Sequence, residues 1–191
     1  MQIFVNNTFP NLELPIIIWN KTRTLKWNDF KKKPDSKNKA AASSAIGFES
    51  SPIIEHFKIG CKFKFKIRDM QLHAVFIPEI SWVRENILEK GNKLLLNHEQ
   101  GHFDLAEEIT RKTRIKTTNR FQNRSFVVKG KNKAEAKKFA VVRVTRIRKE
   151  IDDRLQKELE REETKYDGKT NYGLIIKNQE KYNKRFETLR E

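Results

Sequence analysis

Hydrophobic positions along this chain change their period near residue 80. Cys61-Lys62-Phe63-Lys64-Phe65-Lys66-Ile67 alternates apolar and basic without a break, the period of a half-buried strand with Lys on its wet face. Gln71 to Ile77 reads as a second strand after a turn near Asp69, and the two together predict an antiparallel hairpin. Pro15 to Trp19 and Ala41 to Glu49 are weaker strand candidates, the latter after a polar loop from Asp35 to Ala42. All 5 Pro lie within the first 78 positions, so the breakers of helix stop where Pro78 ends the sheet. Beyond Ser81-Trp82 the period lengthens. Leu94, Leu95, His98, His102, Leu105 and Ile109 recur at three and four, which predicts a helix from about Gly91 to Thr118. Ser125 to Val128 is a possible short strand. Ala136, Ala140, Val144, Ile147, Ile151, Leu155 and Leu159 mark one face of a long helix from about Lys133 to Lys165. Tyr166 to Gly173, with two Gly and an Asn, reads as a structured turn, and a last helix runs from about Ile175 to Arg190.

These elements predict an α+β fold in one domain over residues 1–191. A small antiparallel sheet fills the strand-rich part to about residue 80. A helix carrying His98-Glu99-Gln100-Gly101-His102, the H-E-x-x-H pattern of a zincin-like motif helix, and two further long helices fill the rest. A length of 191 residues suffices for one sizeable core, and 13 Phe and 3 Trp supply material for it. No apolar run reaches the length needed to cross a bilayer, which predicts no membrane span. Met1 to Trp19 has neither a basic start nor a sustained apolar run and does not look like a secretory signal. As written the chain therefore reads as cytoplasmic, unless it is a mature or mis-started form.

Charge adds one hypothesis. The net charge is +16, from 41 Lys+Arg against 25 Asp+Glu, which invites an anionic partner such as nucleic acid. The basic residues run along the chain and no known nucleic-acid module is visible, so a Lys- and Asn-rich composition that keeps the protein soluble is the simpler account.

The motif helix carries the chemistry. His98-Glu99-Gln100-Gly101-His102 is an H-E-x-x-H sequence. Two His four apart share one helix face and can grip one metal ion, and the adjacent Glu99 is placed to act on a metal-bound water. The plainer alternative is a pair of polar side chains on a half-buried face. A single Cys61 excludes a Cys-based zinc site and an intramolecular disulfide. Two His make an incomplete site, because a catalytic zinc takes three protein ligands. No third His follows at the extended H-x-x-G-x-x-H spacing. The candidates are His73, Asp167 and Tyr172, with His56 weaker. Asp104 and Glu107 could orient a ligand imidazole, although solvated carboxylates are the ordinary role for such residues.

In four pieces covering most of the chain, the sequence resembles the bacterial family called domain of unknown function 922, described as zinc-dependent peptidases. Trp27-Asn28-Asp29-Phe30 resembles the family's early W-x-D-F, and Ala41 to Gly47 its small-residue strand. Ser81-Trp82-Val83 with Leu95-Leu96-Asn97-His98-Glu99-Gln100-Gly101-His102-Phe103-Asp104 resembles its central block. Tyr166-Asp167, Thr170-Asn171 and the later Gln179 resemble its Y-D-x-x-T-x-H block. The resemblance implies a third ligand at the family's His, where this chain has Tyr172. Tyr172 could serve through its oxygen, Asp167 or a water could replace it, or the site could be degenerate.

The expectation is thus a zinc-dependent metallopeptidase acting on a peptide or protein substrate. Zinc would sit on His98, His102 and Tyr172, or on Asp167 in its place, with Glu99 as general base and Asp104 behind the ligands. A catalytically inactive metal-binding or scaffold protein and a basic nucleic-acid-binding protein are the alternatives. The resembled family is often exported, which sets its usual compartment against the absence of a visible signal.

Overall fold

A computed structural model describes residues 14–34, 37–38 and 40–191. Most of the N-terminal stretch considered as a signal, and part of the loop expected at Asp35 to Ala42, lie outside the described residues. The fold is α+β. A main antiparallel sheet of four strands combines β1 (Ile17–Ile18), β3 (Ile46–Ile59), β4 (Lys62–Phe76) and β6 (Phe126–Val128). A separate pair joins β2 (Ala42–Ser43) to β5 (Trp82–Val83), so Ser81-Trp82 closes the strand part as well as opening the helical one. The helices are α1 (Glu85–Lys90), α2 (Lys93–Phe121), α3 (Lys133–Thr170) and α4 (Ile176–Glu187).

The expected hairpin is corrected. Lys62–Phe76 is one strand, and its hairpin partner is β3, which pairs with it from Ile46↔Phe76 to Ile59↔Lys62. The turn sits at Gly60, whose φ of 55° is the left-handed value glycine tolerates. At Asp69, where a turn was expected, the ladder instead slips: Ile53 faces Asp69 and Ile54 faces Ile67, leaving Arg68 as the extra residue of a β-bulge. The slip changes the parity of the buried face. Phe65 and Ile67 point inward before it, and Met70, Leu72, Ala74 and Phe76 after it. Broken alternation imitates two strands when it belongs to one.

Helices α2 and α3 run antiparallel, with α2 on β4 and α3 on β3. All seven residues of the predicted α3 stripe, Ala136 through Leu159, are buried. On α2, Leu105 and Ile109 are buried, whereas Leu94 of the predicted stripe is 51% exposed. The turn expected at Tyr166 to Gly173 is also corrected: α3 continues through Gly168 to Thr170, because fully buried Tyr166 and Thr170 anchor its last turns. The reversal is compressed into Asn171, Tyr172 and Gly173, with φ of 46°, 54° and 84°.

Candidate metal centre

The site lies where the first turns of α2 meet the last turns of α3. Asn92 caps α2 by accepting from the Leu95 amide at 3.0 Å, which starts the helix just before the motif. The i,i+4 spacing then brings His98 Nε2 and His102 Nε2 to 3.3 Å from each other. Asp167 Oδ1 lies 3.2 Å from the first and 3.1 Å from the second. The three atoms form a nearly equilateral triangle. Metal–ligand bonds of about 2.0 Å at a tetrahedral angle require ligand atoms about 3.3 Å apart, so the triangle matches that need. Asp167 Oδ1 is buried and makes no properly aligned hydrogen bond despite its proximity to both rings. A lone-pair atom in that condition is one a cation would satisfy. The residues therefore fit a metal ion, and among the described residues this is the group with that arrangement.

The remaining ring nitrogens are supported from α3 and α4. His98 Nδ1 faces Gln179 Oε1 and Thr170 Oγ1, each at 3.4 Å. An N–H on Nδ1 directed to them leaves Nε2 as the ligand atom. His102 Nδ1 lies 3.4 Å from Glu163 Oε1 without an aligned hydrogen bond, so Glu163 stands within reach of the ring as a supporting carboxylate. Glu163, Tyr166, Asp167 and Thr170 follow at i, i+3, i+4 and i+7, so one face of α3 delivers them all. Tyr166 stacks on His98 with ring centroids 4.7 Å apart and an interplanar angle of 12°. Its hydroxyl donates to the His98 carbonyl at 3.2 Å and accepts from Gln179 Nε2 at 2.8 Å. Burial pushes the Tyr166 phenol well above its ordinary pKa, and the charges of Asp167 and Glu99 push the same way.

Protonation favours a charged site in the metal-free protein. Burial lowers the pKa of His102, but the carboxylates of Asp167, Glu163 and Glu99 close around it outweigh that and raise the ring to about 10. Burial likewise pushes Asp167 up, and the two imidazoles outweigh it and hold the carboxyl well below the usual range. The cluster holds a proton where it could hold a metal.

Glu99 is buried beside this group. Its Oε2 accepts from the Ser44 amide at 3.0 Å and from the Ser44 hydroxyl, which ties it to the segment between β2 and β3. Tyr172 sits at the rim, 63% exposed, with its ring edge-on to His98 at a centroid distance of 6.1 Å. The atom that converges on both Nε2 positions belongs to Asp167. His73 lies on β4 opposite Glu49, and His56 on β3 opposite Phe65, and neither joins the cluster.

Asp104 does not orient an imidazole. Its Oδ1 accepts from Trp19 Nε1 at 2.7 Å, Gln100 Nε2 at 2.8 Å and Arg190 at 2.6 Å. It fastens both ends of the described chain to the motif helix. Glu107 pairs with Arg111 at 2.9 Å. The sequence places Thr170 and Gln179 in the resembled block without a role at the site, and gives Glu163 no place at all. The i, i+3, i+4, i+7 spacing from Glu163 to Thr170 is the signal that could have found those two.

Comparisons with known proteins bring no relative: no family model, no curated protein and no solved structure matches the chain.

Proposed function

We propose that this chain is a zinc-dependent hydrolase of peptide bonds. The observation that carries the proposal is the triangle of His98 Nε2, His102 Nε2 and Asp167 Oδ1 beside a buried Glu99. His98, His102 and Asp167 would hold the ion, Asp167 taking the place first considered for Tyr172. Zinc bound there supplies Lewis acidity, lowering the pKa of a water and polarising a carbonyl. With Oε2 held by Ser44, Glu99 Oε1 takes the proton from the attacking water and passes it to the departing amine. Gln179 and Thr170 hold the proton on His98 Nδ1, and Glu163 does the same for His102 once the ring gives up its second proton. The resemblance to the domain of unknown function 922 is part of this proposal and rests on the motifs quoted for it.

Elemental analysis of the purified protein tests the site. About one zinc per chain is expected, and loss of it in His98→Ala. Glu99→Gln is expected to keep the metal while hydrolysis of a mixed peptide library falls by about a hundredfold or more. Hydrolysis unchanged in Glu99→Gln would overturn the reaction. Full metal content with no hydrolysis by the unsubstituted protein would favour the second reading, a metal-binding module without catalysis. Tyr172 at the position of the resembled family's His is the observation behind that alternative.

A further inference from the structure

The cations of this chain are not evenly spread, which corrects the simpler account of its charge. Residues 111–149 contain 15 Lys+Arg and 1 acidic residue, Glu135, a net +14 out of the whole chain's +16. An even spread of the 25 acidic residues would put about five there. A compositional bias toward Lys does not expel acidic residues from one stretch. The segment spans the second half of α2, β6 and the first half of α3, so antiparallel packing gathers it at one end of the molecule. At about 1.5 Å per residue, Phe121 lies roughly 28 Å along α2 from His102.

Apolar side chains stand exposed among these charges: Ile115, Val127, Phe139, Val141 and Val142, the last 61% exposed. Arg120, Arg124, Arg143 and Arg146 line a cleft of about 450 Å³ together with Phe139, Val142 and one carboxylate, Glu150, which lies 3.7 Å from Arg120 and leaves the other three Arg in excess. Two of those guanidinium groups rest on aromatic rings, Arg143 over Phe126 at 4.6 Å and Arg120 over Phe121 at 5.1 Å. Stacking holds them splayed at the cleft wall at little entropic cost.

We propose that this end is a docking surface for an anionic phospholipid bilayer. Arg and Lys are complementary to lipid phosphates, and the aliphatic side chains between them enter the boundary between headgroups and acyl chains. Nucleic acid would use the cations but has no comparable use for exposed Val and Ile. It rewards stacked aromatic rings, and Phe139 is the exposed aromatic side chain of this segment. Docking here is peripheral, as no helix among the described residues is long and apolar enough to cross a membrane. The inference stands apart from the metal chemistry at the opposite end.

Vesicle co-sedimentation tests it, with phosphatidylcholine vesicles and vesicles of about three parts phosphatidylcholine to one of phosphatidylglycerol. The full chain is expected to sediment with the anionic vesicles at low salt, not with the neutral ones, and to be released as salt rises. Arg143→Ser/Arg146→Ser lowers the partition by about 20-fold, and Phe139→Ser/Val142→Ser by about tenfold. All four side chains are exposed, so the helical circular-dichroism signal is expected to stay unchanged. Absence of vesicle binding at low salt overturns the proposal, as does vesicle binding indifferent to Phe139→Ser/Val142→Ser. An RNA or DNA oligonucleotide bound tenfold more tightly than the vesicles also overturns it, assigning the surface to nucleic acid.

Discussion

Removing Asp167 and removing Glu163 should weaken a bound metal unequally, because the two carboxylates act at different atoms. Asp167 Oδ1 is one corner of the ligand triangle, 3.1 and 3.2 Å from the two Nε2 atoms. Glu163 stands behind His102, 3.4 Å from Nδ1, and affects the metal only through the basicity and orientation of that ring. Asp167→Ala is therefore expected to weaken zinc binding by more than about 100-fold, and Glu163→Gln by about tenfold. Tyr172→Ala should change it by less than about threefold, the range of an ordinary surface substitution, since its ring is 63% exposed. Competition against a chromophoric chelator measures all three. A larger loss at Tyr172 than at Asp167 would return the third position to the phenol.

At the scale of elements, the crossing of α2 and α3 depends on the glycine inside the motif. A Cβ at Gly101 would overlap the Tyr166 hydroxyl and lie 2.6 Å from its ring carbon, and Tyr166 cannot retreat because it is fully buried. Overlap this close puts the overpacking cost of Gly101→Ala near the upper end, about 3 kcal/mol, which leaves a net destabilisation of about 2 kcal/mol after a gain in helix propensity of about 1 kcal/mol. A thermal melt several degrees lower is the expected result, and an unchanged or higher melting temperature would show that the helices can part at no cost. The same elements explain what could be read in advance. Periods of three and four marked α2 and the buried stripe of α3 because those faces meet one continuous core. The bulge at Arg68 reverses which parity faces inward, so the one long strand β4 reads in the sequence as two. Gly168, Asn171 and Gly173 are all turn signals, so the sequence shows a turn where α3 runs on to Thr170. Asp167 therefore remained one candidate among several. Glu163 carries no signal of its own, and Gln179 enters only through the resembled block without a role, since a carboxylate or amide on a charged helix is ordinary until the facing helix is known.

Across the whole molecule, the His98–His102–Asp167 cluster joins the start of α2 to the end of α3, so anything that binds there stabilises the fold by mass action. A proton competes for the same place. With His102 raised to about 10 against an unfolded value of about 6.5, its contribution to metal-free stability is fully present below about pH 6.5. That contribution is lost as pH rises through about 10. A metal needs the ring neutral, so binding expels about one proton per ion, and apparent affinity should rise about tenfold per pH unit between 7 and 9. The two effects act in the same direction. As pH climbs, the metal-free protein loses the charged His102–Asp167–Glu163 contact while the loaded protein gains affinity. The rise in melting temperature on adding zinc should therefore be larger at about pH 8.5 than at about pH 6, by about 1.4 kcal/mol of binding free energy per pH unit at fixed free zinc. Differential scanning at fixed free zinc reads this directly, and titration calorimetry in buffers of different ionisation enthalpy counts the proton. A zinc-induced rise that is flat with pH, or no proton released, would mean that His102 is already neutral in the metal-free protein and that Asp167 and Glu163 do not hold it charged.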